Sequence, residues 1–183
     1  MKFKSILIGI LISMYSLIAF ASEKNFIQFF NSLQNDNQKG ISCYYFAEQM
    51  FFTYEPMFIL SADNQEKYIE FFSMVESMKT LLNENNFMKV AEEGYEKSKN
   101  IDWKEIDKKL SAYCLPKISI LLKNFSKPEF IELKKKIITI SNQINDNRSK
   151  AKETCLNKTS SEKLTCVIKN VRKIVKKSDG LLN

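Results

Sequence analysis

Hydrophobic residues in this chain recur three and four positions apart, the spacing that places them on one face of an α-helix. The clearest stripes follow four start motifs in which Asp, Ser or Thr precedes Glu by three residues. These motifs begin at Asp63, Asp102, Ser126 and Thr159. Three less sharply bounded helices are predicted around 24–36, 41–54 and 86–98. Strand-like alternation is absent, so the sequence predicts an all-α bundle of six or seven helices.

Two of these helices have boundaries that the sequence defines well. The stripe after Asp63 comprises Tyr68, Phe71, Phe72, Val75, Met78 and Leu82. The stripe after Ser126 predicts one helix over 127–155, about 40 Å long at roughly 1.5 Å per residue. In the helix after Trp103, we expect Pro116 to kink or break the helical path.

The first 21 residues have the pattern of a cleaved signal peptide. Lys2 and Lys4 precede an apolar stretch over 6–20, and Ala19 and Ala21 place small residues before a cleavage point at Ser22. The alternative is a membrane anchor, although 17 uncharged residues from Ser5 to Ala21 are short for a bilayer. Residues 22–183 are then predicted to form a single helical domain.

The four cysteines are Cys43, Cys114, Cys155 and Cys166. An even number in an exported chain indicates two disulfides, and three pairings are open. We favour 43–114 with 155–166, because the second pair flanks a short helix–helix loop. A four-cysteine zinc site is disfavoured, since no two cysteines lie within four residues of each other. The predicted location is therefore periplasmic or secreted, and sequons at Asn124, Asn147 and Asn157 matter only in a eukaryotic host.

The composition excludes several kinds of catalytic and binding site. The chain has no histidine and only four glycines, which excludes His-based catalysis, His-ligated metals and glycine-rich phosphate loops. No motif predicts a metal or a cofactor. The expectation is a protein that is not an enzyme, and a carboxylate-based hydrolase is the remaining catalytic alternative.

Helix 41–54 is apolar around nearly its whole circumference. Such a helix is either a central core element or the wall of a cavity for an apolar ligand. Glu48 lies on its apolar surface, and Glu55 falls about 20° from it around the helix. Together with Tyr44 and Phe52, these two carboxylates are candidate ligand-binding residues. The alternative is a salt bridge to a lysine of the basic half of the chain or, for Glu55, simple exposure at a helix end.

Charge is divided along the sequence. Residues 22–103 carry a net charge of −6, from 7 basic and 13 acidic side chains, whereas 104–183 carry +11, from 19 basic and 8 acidic. The last helix is basic and amphipathic. The apolar run at 56–60 would form a contact patch if exposed and would fill the core if buried. The candidate partner surface comprises Met57, Phe58, Lys169, Arg172, Lys173 and Lys176.

These features predict an exported binding protein that engages another protein or an anionic surface, in an inhibitor, immunity-type or host-interaction role. The alternative is a carrier of a fatty acid or similar apolar ligand in an aromatic-lined cavity. The basic helix lacks an aromatic anchor and an exported chain rarely meets nucleic acid, so no nucleic-acid partner is expected. A solvated lysine face is the simplest alternative to any partner at this helix.

Overall fold

A computed structural model describes residues 23–101, 103–124 and 126–179. Within these ranges the chain forms eight α-helices and no strand. They are α1 (23–32), α2 (Asp36–Ser42), α3 (Tyr44–Leu60), α4 (Gln65–Glu84), α5 (Met88–Ser98), α6 (Trp103–Asn124), α7 (Pro128–Thr154) and α8 (Ser160–Asp179), with a 3-10 turn at Ala62–Asn64. The all-α prediction is confirmed, although six or seven helices was an underestimate. The signal-peptide prediction falls on residues outside the described ranges.

The described residues group into two compact units. The first takes the residues up to Gln49 and those from Met78 to Asn124, and the second takes Met50–Ser77 and the residues from Ser126 onward. The chain therefore contributes to each unit from both its acidic and its basic half. The single-domain prediction stays a prediction.

Asn35 explains the additional helix near the start of the chain. Its side-chain oxygen accepts a 2.8 Å hydrogen bond from the backbone N–H of Gln38, which caps α2. Asp36 in the first turn and Lys39 in the last turn complement the helix dipole. The predicted helix over 24–36 is therefore wrong at its end, because a new helix begins where it was expected to finish.

Two helices continue through proline. Pro56 lies inside α3, which extends to Leu60, and Pro116 lies inside α6, which extends to Asn124. The prediction that the helix at 41–54 stops before Pro56 is wrong. Of the kink or break predicted at Pro116, the break does not occur. Burial after each proline supplies the reason: Phe58 is 0% exposed in α3 and Ile118 is 0% exposed in α6. Packing of these side chains outweighs a cost of about 3 kcal/mol for an interior proline.

The four predicted helix-start motifs agree with the structure to different degrees. At Thr159, the Glu162 carboxylate accepts from the backbone N–H at 3.2 Å and from the hydroxyl at 2.7 Å, which confirms the motif. At Ser126 the prediction is wrong, since the N-cap position of α7 is Lys127, which makes no side-chain capping hydrogen bond, and the helix begins with Pro128. At Asp63 the helix begins later, at Gln65, after a 3-10 turn capped by Ser61. Asp102 lies outside the described residues.

The first unit is built around the junction of α2 and α3. Cys43 lies at this junction and is bonded to Cys114 of α6, as predicted. A Cβ added at Gly40 would lie 2.7 Å from the backbone oxygen of Lys117, and one added at Gly94 would lie 2.2 Å from that of Ser42. Two glycines therefore allow α6 and α5 to approach α2 closely.

The second unit has an aromatic core. The rings of Phe51 and Phe72 stack with centroids 4.7 Å apart, and those of Phe58 and Tyr68 lie 4.8 Å apart. Burial, with a smaller contribution from the charge of Glu55, raises the pKa of the Tyr68 hydroxyl well above its ordinary value. The long helix α7 and α8 pack side by side as a hairpin of this unit.

Candidate functional site

The α7–α8 hairpin carries a large net positive charge. Residues 126–179 carry 14 basic and 6 acidic side chains, a net charge of +8. The disulfide Cys155–Cys166 joins the end of α7 to the second turn of α8, with Cα atoms 6.0 Å apart, as predicted. The Asn170 amide donates to both sulfurs, at 3.3 Å to Cys155 and 3.5 Å to Cys166. The turn between the two helices is therefore held by a covalent bond.

A shallow hollow of about 400 Å³ lies against this disulfide. It is lined by residues of the turn and of the first turns of α8: Lys158, Ser161, Glu162, Thr165, Cys166 and Lys169. Leu156 in the turn and Leu164 on α8 are 61% and 52% exposed. We call the hollow together with these two leucines the hairpin tip. It combines ammonium groups and exposed apolar side chains on a rigid support.

The acidic residue of the tip is already engaged. Glu162 accepts the two hydrogen bonds from Thr159 that cap α8, and these bonds lower the pKa of its carboxyl group. Its charge faces the N-terminal end of the helix, where the dipole favours an anion. The ammonium groups of Lys158 and Lys169 are the remaining charges lining the hollow.

Only some of the residues predicted for the partner surface are exposed. Met57 is 45% exposed, and Lys169 and Lys173 are also exposed. Phe58 is 0% exposed, so its prediction as a surface residue is wrong. Its ring packs on Tyr68 and beneath the guanidinium of Arg148, whose carbon lies 5.1 Å from the ring centroid. The Lys176 side chain lies outside the described part of the chain.

Arg172 has a structural partner within its own unit. Its Nε donates to Oε1 of Glu55 at 2.9 Å, and its Nη2 bonds to Oε2 of the same carboxylate. This bidentate ion pair connects α8 to α3. The hydrogen bond to Glu55 raises the pKa of the Arg172 guanidinium further above its ordinary value. Glu55 therefore forms a salt bridge to the basic half, as the alternative predicted, but its partner is an arginine and not the lysine expected.

The ion pair predicts an asymmetric response to substitution. The Glu55 side chain is 10% exposed, whereas that of Arg172 is 44% exposed. Arg172→Gln is therefore expected to cost about 2 kcal/mol, because it leaves a buried carboxylate without its cation. Glu55→Gln is expected to cost about 1 kcal/mol, since water can solvate the arginine that remains. Urea denaturation of both variants measures this difference, and equal losses would contradict it.

No protein-family model, curated protein or solved structure matches the chain. Among the residues that the structure describes, no group of three or more His, Cys, Asp or Glu is placed to hold a metal ion. None of the described helices is both long enough and apolar enough to cross a bilayer.

A second candidate site is an apolar cleft in the first unit. Its volume is about 410 Å³, and its walls come from the start of α3, the end of α4 and one face of α5. Leu82, Met88 and Ala91 supply the apolar walls, and the rings of Tyr44 and Tyr95 supply the aromatic ones. Gly94 brings α5 against the α2–α3 junction and so positions these walls.

The predicted ligand-binding residues separate into two pairs. Tyr44 lines the cleft, and its hydroxyl donates to the Glu48 carboxylate at 3.3 Å, so both belong to the first unit. Phe52 and Glu55 belong to the second unit, where Phe52 is 55% exposed and Glu55 is held by Arg172. The two carboxylates thus have different partners, and ligand binding at all four residues stays untested.

Sequence reasoning missed three features of these sites. The acidic face of α5, with Glu92 and Glu96 four residues apart beside Tyr95, lay in a helix predicted only by its approximate bounds. The tip residues around Lys158 were regarded as a connecting loop. Arg148 lay on the apolar stripe of α7, four residues after Ile144, and this position was the available indication that it is buried.

Proposed function

We propose that this chain is an exported, non-enzymatic binding protein whose hairpin tip engages an acidic surface of another protein. The observation that carries the proposal is the composition of the tip. The disulfide Cys155–Cys166 lies at a hollow lined by Lys158 and Lys169, and two exposed leucines lie on the same turn and helix start, on a hairpin of net charge +8.

Each part of the tip supports recognition of a protein. Exposed leucines supply apolar area, which forms the centre of most protein interfaces, and lysines suit the polar rim. The positive charge of the hairpin attracts an acidic partner and increases the association rate. The disulfide limits the motion of the turn before binding, so less conformational entropy is lost on association.

An acidic protein is favoured over a lipid surface for a specific reason. Interfacial helices are usually anchored by aromatic rings together with a continuous apolar face. No Trp, Tyr or Phe follows Phe130 in the chain. The apolar face of α8 is used inside its own unit, where Val167 is 2% and Val171 0% exposed. Two disulfides are typical of chains that function in an oxidising compartment, which supports export.

The decisive experiment compares two charge reversals on the same hairpin. Lys158→Glu with Lys169→Glu changes the tip, and Lys134→Glu with Lys135→Glu makes the same change in charge about 30 Å away along α7, at roughly 1.5 Å per residue. Partners cross-linked to the mature, oxidised protein in its native exported fraction are identified, purified and titrated against both variants at 0.15 M salt. The tip variant should lose at least about tenfold in affinity and the control less than about twofold. At 0.15 M salt, ions screen a charge beyond about 8 Å, so the distant control charges should have little effect on a partner bound at the tip.

Three results would contradict the proposal. Equal losses in both variants would show diffuse attraction by the hairpin rather than a site at its tip. A purified partner whose contact surface is basic or neutral would exclude the charge complementarity. Binding to vesicles of phosphatidylglycerol and phosphatidylethanolamine that the tip variant abolishes would assign the tip to lipid instead.

A further inference from the structure

We infer that the cleft in the first unit is a binding site for a small organic ammonium compound with an apolar body. This site is separate from the hairpin tip and does not depend on the proposed function. Its volume of about 410 Å³ lies within the range of small-ligand pockets, about 300–1,000 Å³. Its apolar walls suit the body of such a ligand.

The charges around the cleft favour a ligand with a positively charged head group. Among the described residues that line it, two are carboxylates, Glu92 and Glu96, and none is a cation. A third carboxylate, Glu48, accepts from the hydroxyl of the lining residue Tyr44. An alkyl carboxylate would place its charge against these groups at an energetic cost, whereas an ammonium would gain from them.

Aromatic rings reinforce this preference. Tyr45 and Tyr95 pack edge to face with centroids 4.9 Å apart, and Tyr95 and Tyr44 line the cleft. The faces of aromatic rings attract cations, most strongly those with little hydration such as quaternary ammonium groups. Burial, and to a smaller extent the neighbouring Tyr95 and the charge of Glu48, raise the pKa of the Tyr45 hydroxyl.

The chain itself places an ammonium at the edge of this cleft. Lys99 Nζ lies 6.0 Å from the centroid of the Tyr95 ring and forms an ion pair with the carboxylate of Glu96. Its hydrogen bond to Glu96 raises the pKa of the lysine. Two lining residues therefore already hold a primary ammonium by the contacts that a ligand would use. Because the Lys99 side chain is 38% exposed, a ligand can displace it without disrupting the core.

The test uses three probes with the same alkyl chain: octyltrimethylammonium, octanoate and 1-octanol. Binding is followed by calorimetry and by the methyl signals of the protein labelled with ¹³C at its methionine methyl groups. Octyltrimethylammonium should bind at least about tenfold more tightly than octanoate, and the Met88 methyl signal should shift on binding. Glu92→Gln should weaken the cation about five- to tenfold, as expected for loss of one charge at close range.

Two further variants sharpen the test. Glu93→Gln removes the same charge from the next, exposed position of α5, which does not line the cleft, and should change affinity less than about twofold. Lys99→Gln should tighten the cation, because it removes an internal competitor. Octanoate binding as tightly as the cation, equal effects of the two glutamate variants, weaker cation binding by Lys99→Gln, or an unchanged Met88 signal would each overturn the inference. The tip variant Lys158→Glu with Lys169→Glu should bind the cation normally, so the two proposals fail independently.

Discussion

Replacing Cys43 and Cys114 by alanine is expected to lower the free energy of unfolding by about 4 kcal/mol, against about 3 kcal/mol for Cys155 and Cys166. The first bridge connects residues 71 apart in sequence and the second connects residues 11 apart. The longer loop loses more conformational freedom in the unfolded chain when it is closed. Cys43 and Cys114 are also both 0% exposed, so removal of their sulfurs leaves a void in the first unit.

The two double variants should also increase local flexibility in different parts of the molecule. Amide hydrogen exchange should increase in α2 and α6 when the first bridge is removed, and around the α7–α8 turn when the second is removed. Because the second bridge supports the hairpin tip, its removal should reduce partner affinity more than that of the first. Equal destabilisation by both variants, or partner binding that does not depend on Cys155–Cys166, would contradict this expectation. Urea denaturation at neutral pH measures the stabilities.

The sequence predicted helices best where periodicity and burial agree. All members of the stripe from Tyr68 to Leu82 are buried, and α7 ends one residue before the predicted boundary at Cys155. A long amphipathic helix specifies its own inner face, because side chains three and four residues apart must share it. The pairing of the cysteines followed from the same helix boundaries.

The failures occur where long-range contacts override a local preference. Pro56 was expected to lie outside a helix, and nothing within 41–60 indicates that Arg148 and Arg172 would bind the end of that segment. Leu164 lies on the same helical face as the buried Val167 and Val171, yet it is 52% exposed near the start of α8. An apolar stripe identifies the face that can pack but does not specify how far along the helix its neighbours reach.

The candidate sites were predicted only in part for a similar reason. The last helix was correctly identified as basic, but the sequence could not show that Arg172 is held by Glu55. Tyr44 was identified because its helix is unusually aromatic, whereas its cleft partners on α5 are distant in sequence. A site assembled from separate helices becomes visible only when their packing is known.

Arg148→Met is expected to lower the free energy of unfolding by about 3 kcal/mol. In the second unit, Arg148 Nε donates to the backbone oxygen of Ile59 at 3.1 Å, and Nη2 donates to that of Phe58 at 2.7 Å. These are carbonyl groups of the last turn of α3, which have no partner within the helix. The guanidinium, only 9% exposed, therefore caps α3 and offsets the negative end of its dipole.

Burial lowers the pKa of the Arg148 guanidinium, yet arginine remains charged at neutral pH. Methionine retains much of the apolar contact with Phe58 but leaves both carbonyl oxygens without their donor. Lys150→Met is the matched control, since Lys150 is exposed two residues further along α7 and should change stability by less than about 0.5 kcal/mol. Urea denaturation compares the two variants, and amide exchange at the end of α3 should increase only in Arg148→Met. If both variants were equally stable, the end of α3 would be held by the packing of Phe58 and Ile59 alone, and the buried cation would be dispensable.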